Sequence, residues 1–356
     1  MMGGIVLKHI KVLVVDDSAL MRRIISDMIN SDENMEVIDT ARNGADLFKK
    51  LDKVLPDVIT LDVEMPLMNG LEALRELKRK NINIPVIVIS SVSSTAASST
   101  IECLEAGAFD FIAKPSGQIS LDIDKIKDDL LSKIRLAYCE SSNCPECFET
   151  TNKSSISKSK DKRTGLSKRK IEAVVIGAST GGPRALYSLI TALPGDLGVP
   201  IFVVQHMPAG FTRAFADRLN SNSDLNVCEA TQGQEIKKNN IYIAPGGYHM
   251  QIDKSKKIEL NKDPTIWGVR PAVDKLFISA AEVYGSSLLS VVLTGMGRDG
   301  ANGTIEVKKN GGITISEHES TCTIYGMPRA AYETGMVDEV LPLNEIPVEI
   351  VRLLMN

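Results

Sequence analysis

Along the first third of the chain, apolar residues follow two alternating patterns. The runs IKVLVVDD (10–17), MEVIDT (35–40), PDVITLD (56–62), IPVIVIS (84–90) and FDFIAK (109–114) read as strands. Between them lie amphipathic stretches such as ALMRRIISDMI (19–29) and LEALRELKRK (71–80), with apolar residues at helical spacing. Strand runs without polar alternation are buried on both faces, which predicts a five-stranded parallel sheet covered by helices. The second half repeats the alternation, with IEAVVIGASTGGPRALYSLI (171–190), VPIFVVQ (199–205) and LLSVVLTG (288–295) as its clearest segments, and predicts a second parallel α/β unit. No apolar run approaches the about 20 residues that a membrane-spanning helix needs.

A length of 356 residues fits two domains. The stretch TNKSSISKSKDKRTGLSKRK (151–170) has hardly any apolar side chains with which to form a core. The reading is therefore a first domain over 8–130, a flexible basic linker over 139–170, and a second domain over 171–356. Net charge is 41 − 45 = −4, but it is unevenly spread. Residues 1–138 carry 17 basic and 21 acidic side chains, 139–170 carry 8 and 4, and 171–356 carry 16 and 20. The stretch 151–170 lacks aromatics to stack on bases, and the unit after it is acidic with no helix-turn-helix pattern, so nucleic acid is not an expected partner. With 43% hydrophobic and 24% charged residues, disordered, collagen-like and coiled-coil classes are excluded. Lys8 and Lys11 interrupt the apolar N-terminal stretch, so no signal peptide is read. The six cysteines form no spaced disulfide framework, and Cys144 and Cys147, with Cys139 nearby, lack a second Cys/His pair for zinc. They read as incidental thiols in a cytoplasmic protein.

In parallel sheets ligands collect at the carboxyl ends of the strands. That rule selects Asp16 and Asp17 after the first run, Asp62 after the third, Ser90 after the fourth and Lys114 after the fifth. Crowded carboxylates call for a hard cation, Mg²⁺ by preference, and a carboxylate can attack phosphorus to form an acyl phosphate. Lys114 would hold a phosphoryl oxygen and Ser90 would donate a hydrogen bond to another. The plainer alternative makes Asp17 and Ser18 a helix cap and Lys114-Pro115 a turn.

The segments VVDDS, LDVEMPLMNG, Ser90 and AGAFDFIAKP resemble the receiver domain of a bacterial response regulator, a flavodoxin-like fold. The resemblance implies that Asp62 is the phosphoacceptor and that Asp16, Asp17 and Asp62 are metal ligands, with Glu64 contributing its backbone carbonyl. It also implies that Ser90 and Phe111 form a switch pair, Phe111 standing where many receivers have Tyr.

The second half carries different chemistry. Gly177-Ala178-Ser179-Thr180-Gly181 lies between a strand and a helix, the setting of a nucleophile elbow. Two rival readings weaken on inspection. A dinucleotide turn needs glycine where Ser179 stands, and a P-loop needs Gly-Lys-Ser/Thr where Gly182-Pro183-Arg184 stands. Of four histidines, His9, His206, His249 and His318, only His206 directly follows an apolar run and so shares the sheet edge of Ser179. An imidazole of ordinary pKa near 6.5 accepts a serine proton at neutral pH. Asp299, in the loop after LLSVVLTG, is placed to accept the other ring N–H. Taken alone, Asp299-Gly300 is equally an ordinary Asp-Gly turn.

Together IGASTGGPRAL, VVQHMPAGFTRAFADRLN, APGGYHM, VRPAVDKLF, VVLTGMGRDGANG and TIYGMPRAA resemble the chemotaxis receptor methylesterase family. The resemblance implies a doubly wound parallel sheet and a Ser179–His206–Asp299 triad, with oxyanion donors near Thr180 and Met296. It further implies hydrolysis of glutamyl methyl esters and deamidation of glutamines on chemoreceptors, without a cofactor for hydrolysis. A chemotaxis histidine kinase would be the phosphodonor, and a monomer without membrane insertion is expected. Gly268-Val269-Arg270-Pro271-Ala272 departs from the family's usual Gly-His-Arg-Pro-Ser. Two other classes stay open, a non-enzymatic output domain and a small-molecule serine esterase.

Overall fold

The computed structural model describes residues 9–114, 123–142 and 170–355, and the chain divides into two units, Met1–Asn152 and Lys153–Asn356. In the first, five strands alternate with five helices: β1 (Ile10–Val15), α1 (Ala19–Asn30), β2 (Met35–Ala41), α2 (Gly44–Leu51), β3 (Val58–Asp62), α3 (Gly70–Arg79), β4 (Val86–Ser90), α4 (Ser94–Ala106), β5 (Asp110–Ala113) and α5 (Ile123–Ser142). The strands pair in parallel in the order β2-β1-β3-β4-β5. Every residue of β3 and β4 is buried, as continuous apolar runs require when helices cover both faces. Ser18, Asn43, Asn69 and Ser93 cap α1 to α4 through their side chains. Each satisfies a backbone N–H that the first helical turn leaves open.

Helix α5 continues through Ser142, so residues 139–142, read from the sequence as linker, form its last turn. The rest of the linker, with Cys144 and Cys147, lies outside the described residues. Cys139 is disulfide-bonded, against the reading of incidental thiols, while Cys103, Cys228 and Cys322 are free.

The second unit comprises β6 (Ala173–Ala178), α6 (Gly182–Thr191), β7 (Ile201–Gln205), α7 (Phe211–Asn220), β8 (Asn226–Glu229), β9 (Asn240–Ile243), β10 (His249–Ile252), β11 (Ile258–Asn261), α8 (Val273–Tyr284), β12 (Leu288–Val292), α9 (Ala301–Lys309), β13 (Ile313–Glu317), α10 (Met327–Glu333), β14 (Glu339–Leu341) and α11 (Ile346–Met355). Seven strands form one parallel sheet, β14-β13-β12-β6-β7-β9-β8. The chain winds outward from β6 in one direction, then returns to β6 and winds out in the other. This is the doubly wound arrangement expected from the sequence, and β6 stands at its topological switch point. The antiparallel β10–β11 hairpin was not anticipated. Its strands are four residues each and only partly buried, too short for periodicity to separate them from loops. Phe202 and Tyr242 stack at 5.5 Å in the core, with Val175, Leu276 and Phe277 fully buried around them.

Candidate functional site

The first unit gathers its acids at the carboxyl edge of the sheet. One ligand atom each from Asp16, Asp17 and Asp62 falls within a 4.8 Å span. Asp16 and Asp62 are buried, whereas Asp17 is exposed. The Nζ of Lys114 lies 2.9 Å from Asp16 Oδ2 and 2.8 Å from Asp62 Oδ2. Burial pushes the Asp62 carboxyl up to about 6, because desolvation outweighs the pull of the neighbouring ammonium, and the charge of Asp16 adds to the rise. Burial pulls the Lys114 ammonium down, but the two carboxylates outweigh it and its pKa is raised, so it stays charged. Asp16 Oδ2 is buried, and the Lys114 ammonium at 2.9 Å is its one partner among the described residues. A hard cation would satisfy that oxygen, and the all-oxygen donor set suits Mg²⁺. Ser18, not Asp17, supplies the cap of α1.

Ser90 is buried, and its hydroxyl accepts from Thr100 Oγ1 at 2.7 Å while approaching the carbonyls of Ser91 and Ala96. Its hydrogen bonds thus run to the start of α4. Phe111 is also buried, with Lys133 Nζ 5.6 Å from its ring centre and 2.7 Å from its carbonyl oxygen. Glu64 is exposed, and its backbone N–H donates to the Asp62 carboxylate.

In the second unit, the register of the central strands decides the geometry. Ala178 on β6 pairs with Gln205 on β7, so Ser179 and His206 are the next residues out on adjacent strands, about 5 Å apart in backbone spacing. The chain then turns through Gly181, held at φ +77, a conformation glycine adopts without steric cost. A side chain at Gly182 would strike Gln205 Oε1 at 2.1 Å. The Gln205 amide donates to the carbonyl of Ser179 at 2.9 Å, and the Ser179 N–H donates to Thr294 O at 3.0 Å. Thr294 in turn is held by the buried Glu317, whose carboxylate accepts the Thr294 N–H at 2.7 Å. The elbow is therefore braced from two neighbouring strands.

His206 Nε2 lies 2.8 Å from Asp299 Oδ2, with the ring mostly buried and the acid 2% exposed. Asp299 also receives Val273 N–H at 2.6 Å, Asp274 N–H at 2.9 Å and Gly300 N–H at 3.0 Å. The first two donors open helix α8, whose positive end favours an anion. Asp274 answers in kind: its carboxylate accepts from Gly300 N–H at 3.0 Å and Gly303 N–H at 2.7 Å, at the start of α9. It also lies near Trp267 Nε1 at 3.4 Å and Asn302 Nδ2 at 3.3 Å. Helices α8 and α9 thus exchange aspartates across their N-termini. Burial, aided by the charge of Asp299, raises the Asp274 pKa despite these hydrogen bonds.

Among the described residues, Ser179 Oγ makes no hydrogen bond, so the structure brings His206 and Asp299 into contact and leaves the Ser179–His206 link open. Apo geometry of this kind does not exclude a catalytic pair. The loop 295–299 spans the gap: a side chain at Gly295 would come within 2.7 Å of Ser179 Cβ, and Asp299 holds His206. Thr180 is buried and its carbonyl accepts from Thr294 Oγ1 at 3.0 Å. Among the described residues its N–H has no protein partner, as an oxyanion donor requires. Met296 is 49% exposed at the rim.

Of the other histidines, His249 opens β10 and is fully buried. Its Nε2 lies 3.1 Å from Pro264 O and its Nδ1 accepts Ala272 N–H at 3.2 Å. Asp274, Gln205 and Glu317 were not singled out from sequence. Asp274 stands in the quoted VRPAVDKLF, and its signal is an acid in the first turn of a helix.

Residues 174–350 match the family described as CheB methylesterase, and residues 12–123 match the response regulator receiver domain. A protein-glutamate methylesterase/protein-glutamine glutaminase of Clostridium acetobutylicum is 55% identical over 98% of each chain. One of Pyrococcus horikoshii is 48% identical over 97% of this chain and 94% of its own. Among solved structures, the CheB methylesterase catalytic domain of Thermotoga maritima superposes with a TM-score of 0.50 at 46% identity, covering 52% of this chain and 99% of that one.

Proposed function

The chain belongs to the CheB methylesterase family, and on that premise we propose that Ser179, His206 and Asp299 form its catalytic triad. It is a receiver-linked hydrolase of protein glutamyl methyl esters and glutamine amides, acting in chemotaxis adaptation. The observation that carries the triad is the His206–Asp299 contact at 2.8 Å. Because Asp299 engages Nε2, that nitrogen carries the proton and Nδ1 is the base presented toward Ser179.

In the reaction, Ser179 Oγ attacks the glutamyl carbonyl as His206 takes its proton. The oxyanion is met by backbone N–H groups at Thr180 and Met296. Protonated His206 then gives its proton to the departing methoxide, or to the departing amide nitrogen of glutamine, releasing methanol or ammonia and leaving a glutamyl-serine ester. Water, deprotonated by the same imidazole, hydrolyses that ester to glutamate and restores Ser179. Asp299, fixed by three backbone N–H groups, stabilises the imidazolium at both stages.

In the receiver, Asp62 is the phosphoacceptor, with a histidine kinase as donor. Mg²⁺ held by Asp16, Asp17, Asp62 and the Glu64 carbonyl would offset the repulsion between carboxylate and phosphoryl oxygens. Lys114 binds a phosphoryl oxygen, and a rearrangement of Ser90 and Phe111 reports the added charge. Chemoreceptors are the substrate proteins, in the cytoplasm, and no helix among the described residues is long and apolar enough to cross a membrane. The test is methanol release from methylated receptor fragments, with mass analysis of each site. Ser179→Ala is expected to fold normally and to lose at least about 10⁴-fold in rate. Retained activity would refute the triad.

A further inference from the structure

Beside the triad, one turn carries a residue that its backbone does not favour. Ile266 and Val269 exchange both backbone hydrogen bonds, 3.2 Å and 3.0 Å, around the two-residue turn Trp267-Gly268. Both central residues have positive φ, +52 at Trp267 and +81 at Gly268, the type I′ pattern in which Asn, Asp or Gly is favoured. A bulky side chain there is strained, and such strain persists where the surroundings impose it. Trp267 is nevertheless 55% exposed, so core packing does not account for it. Two contacts hold the indole: its N–H points at Asp274 Oδ2, 3.4 Å away, and the guanidinium of Arg298 lies over its ring at 5.2 Å.

Arg298 occupies a telling position. It is the residue before Asp299, at the end of the loop whose Gly295 abuts Ser179, so the exposed segment Met296-Gly297-Arg298 rims the reacting hydroxyl. The cations that follow the Trp267-Gly268 turn in sequence are engaged elsewhere, Arg270 with the carbonyls of Lys262 and Asp263, Lys275 with the Asp263 carboxylate. Arg298 has no acidic partner among the described residues. A guanidinium placed over the face of an indole can still offer N–H groups to a planar, bidentate acceptor.

We propose that Arg298, oriented by Trp267, is a subsite for a carboxylate on the substrate protein beside the scissile glutamyl ester. The inference rests on the methylesterase reading and adds a preference within it. The partner's chemistry follows from complementarity: the enzyme's own product is a glutamate side chain, so a substrate bearing several such sites presents carboxylates next to the remaining esters. An unpaired, oriented guanidinium at the rim would favour those esters.

The test uses the full chain and helical peptides that each carry one glutamyl methyl ester, flanked one helical turn away by Glu, Gln or Lys. Wild type is expected to favour the Glu-flanked peptide over the Gln-flanked one by about fivefold in kcat/KM, mainly through KM, the size of a well-oriented exposed ion pair. Arg298→Gln brings that ratio to about one. Arg298→Glu inverts it and favours the Lys-flanked peptide, a rescue that a purely structural role would not give. Trp267→Asn, which suits the type I′ turn, lowers the ratio without unfolding the hairpin. Equal rates on Glu- and Gln-flanked peptides by wild type, or an unchanged ratio in Arg298→Gln, overturn the subsite alone. If wild type hydrolyses none of the peptides, the methylesterase reading fails together with the subsite.

Discussion

The two sheet edges hold their acids in opposite ways. At the receiver edge, the buried Asp16 and Asp62 share one ammonium, which is the one partner of the buried Asp16 Oδ2 among the described residues. At the hydrolase edge, Asp299 is met by three backbone N–H groups and an imidazole, and Asp274 by two more backbone donors. The first arrangement is electrostatically incomplete, so an arriving cation or phosphoryl group changes its energy strongly. The second is complete before substrate arrives, so little reorganisation is left for the reaction to bear. One parallel-sheet architecture thus holds its edge carboxylates in two ways, by a single shared ammonium in one unit and by backbone N–H groups at helix N-termini in the other.

The sharpest way to break this contrast is to loosen the complete edge. Asp274→Ala removes the carboxylate acceptor of the buried Gly303 N–H and one of the two acceptors of Gly300 N–H. It should destabilise the hydrolase unit by about 3 kcal/mol and lower the rate by about 10- to 100-fold through misplacement of Asp299. Calorimetry together with methanol release checks both, and wild-type values would show that the aspartate exchange is dispensable.

A smaller effect should follow at the incomplete edge. Lys114→Met removes the shared cation, which should cost on the order of 2 kcal/mol in receiver stability. It should also enlarge the thermal stabilisation given by Mg²⁺, because the metal then carries the neutralisation alone. A Mg²⁺ shift no larger than in wild type would contradict this.

The smallest effect concerns pH. Burial, aided by Lys275 and Arg270 and opposed by the Pro264 carbonyl and Asp263, lowers the His249 pKa from its ordinary 6.5. A lowered folded pKa gives stability that is present above 6.5 and lost as pH falls through the folded value. The hydrolase melting temperature should therefore decline as pH drops below 6.5, and His249→Gln should flatten that slope. An equal slope in both proteins would assign the acid sensitivity elsewhere.

Much of this could be read from the chain. Fully buried strands such as Val58–Asp62 and Leu288–Val292 announce themselves as unbroken apolar runs, and the strand-end rule then finds Asp62, Lys114, Ser179 and His206. What escaped depends on distant partners. Asp274 meets Gly300 and Gly303 across 26 and 29 residues, and no local pattern encodes that exchange. Trp267 reads as an ordinary exposed aromatic until the backbone around it is known. His249 follows a Gly-Gly turn, and its ring meets Pro264 O and Ala272 N–H, partners 15 and 23 residues away that no local pattern announces.

The aspartate exchange between α8 and α9 also bears on when the chain acquires its activity. During synthesis the elbow segment has emerged by residue 182 and the histidine by 206, yet the elbow's brace at Thr294 and the acid at 299 come only much later. It is anchored only when α8 has docked and the first turn of α9, through Gly303, has emerged. A ribosome-bound or prematurely terminated chain that ends before residue 299 therefore holds Ser179 and His206 without the His206–Asp299 contact.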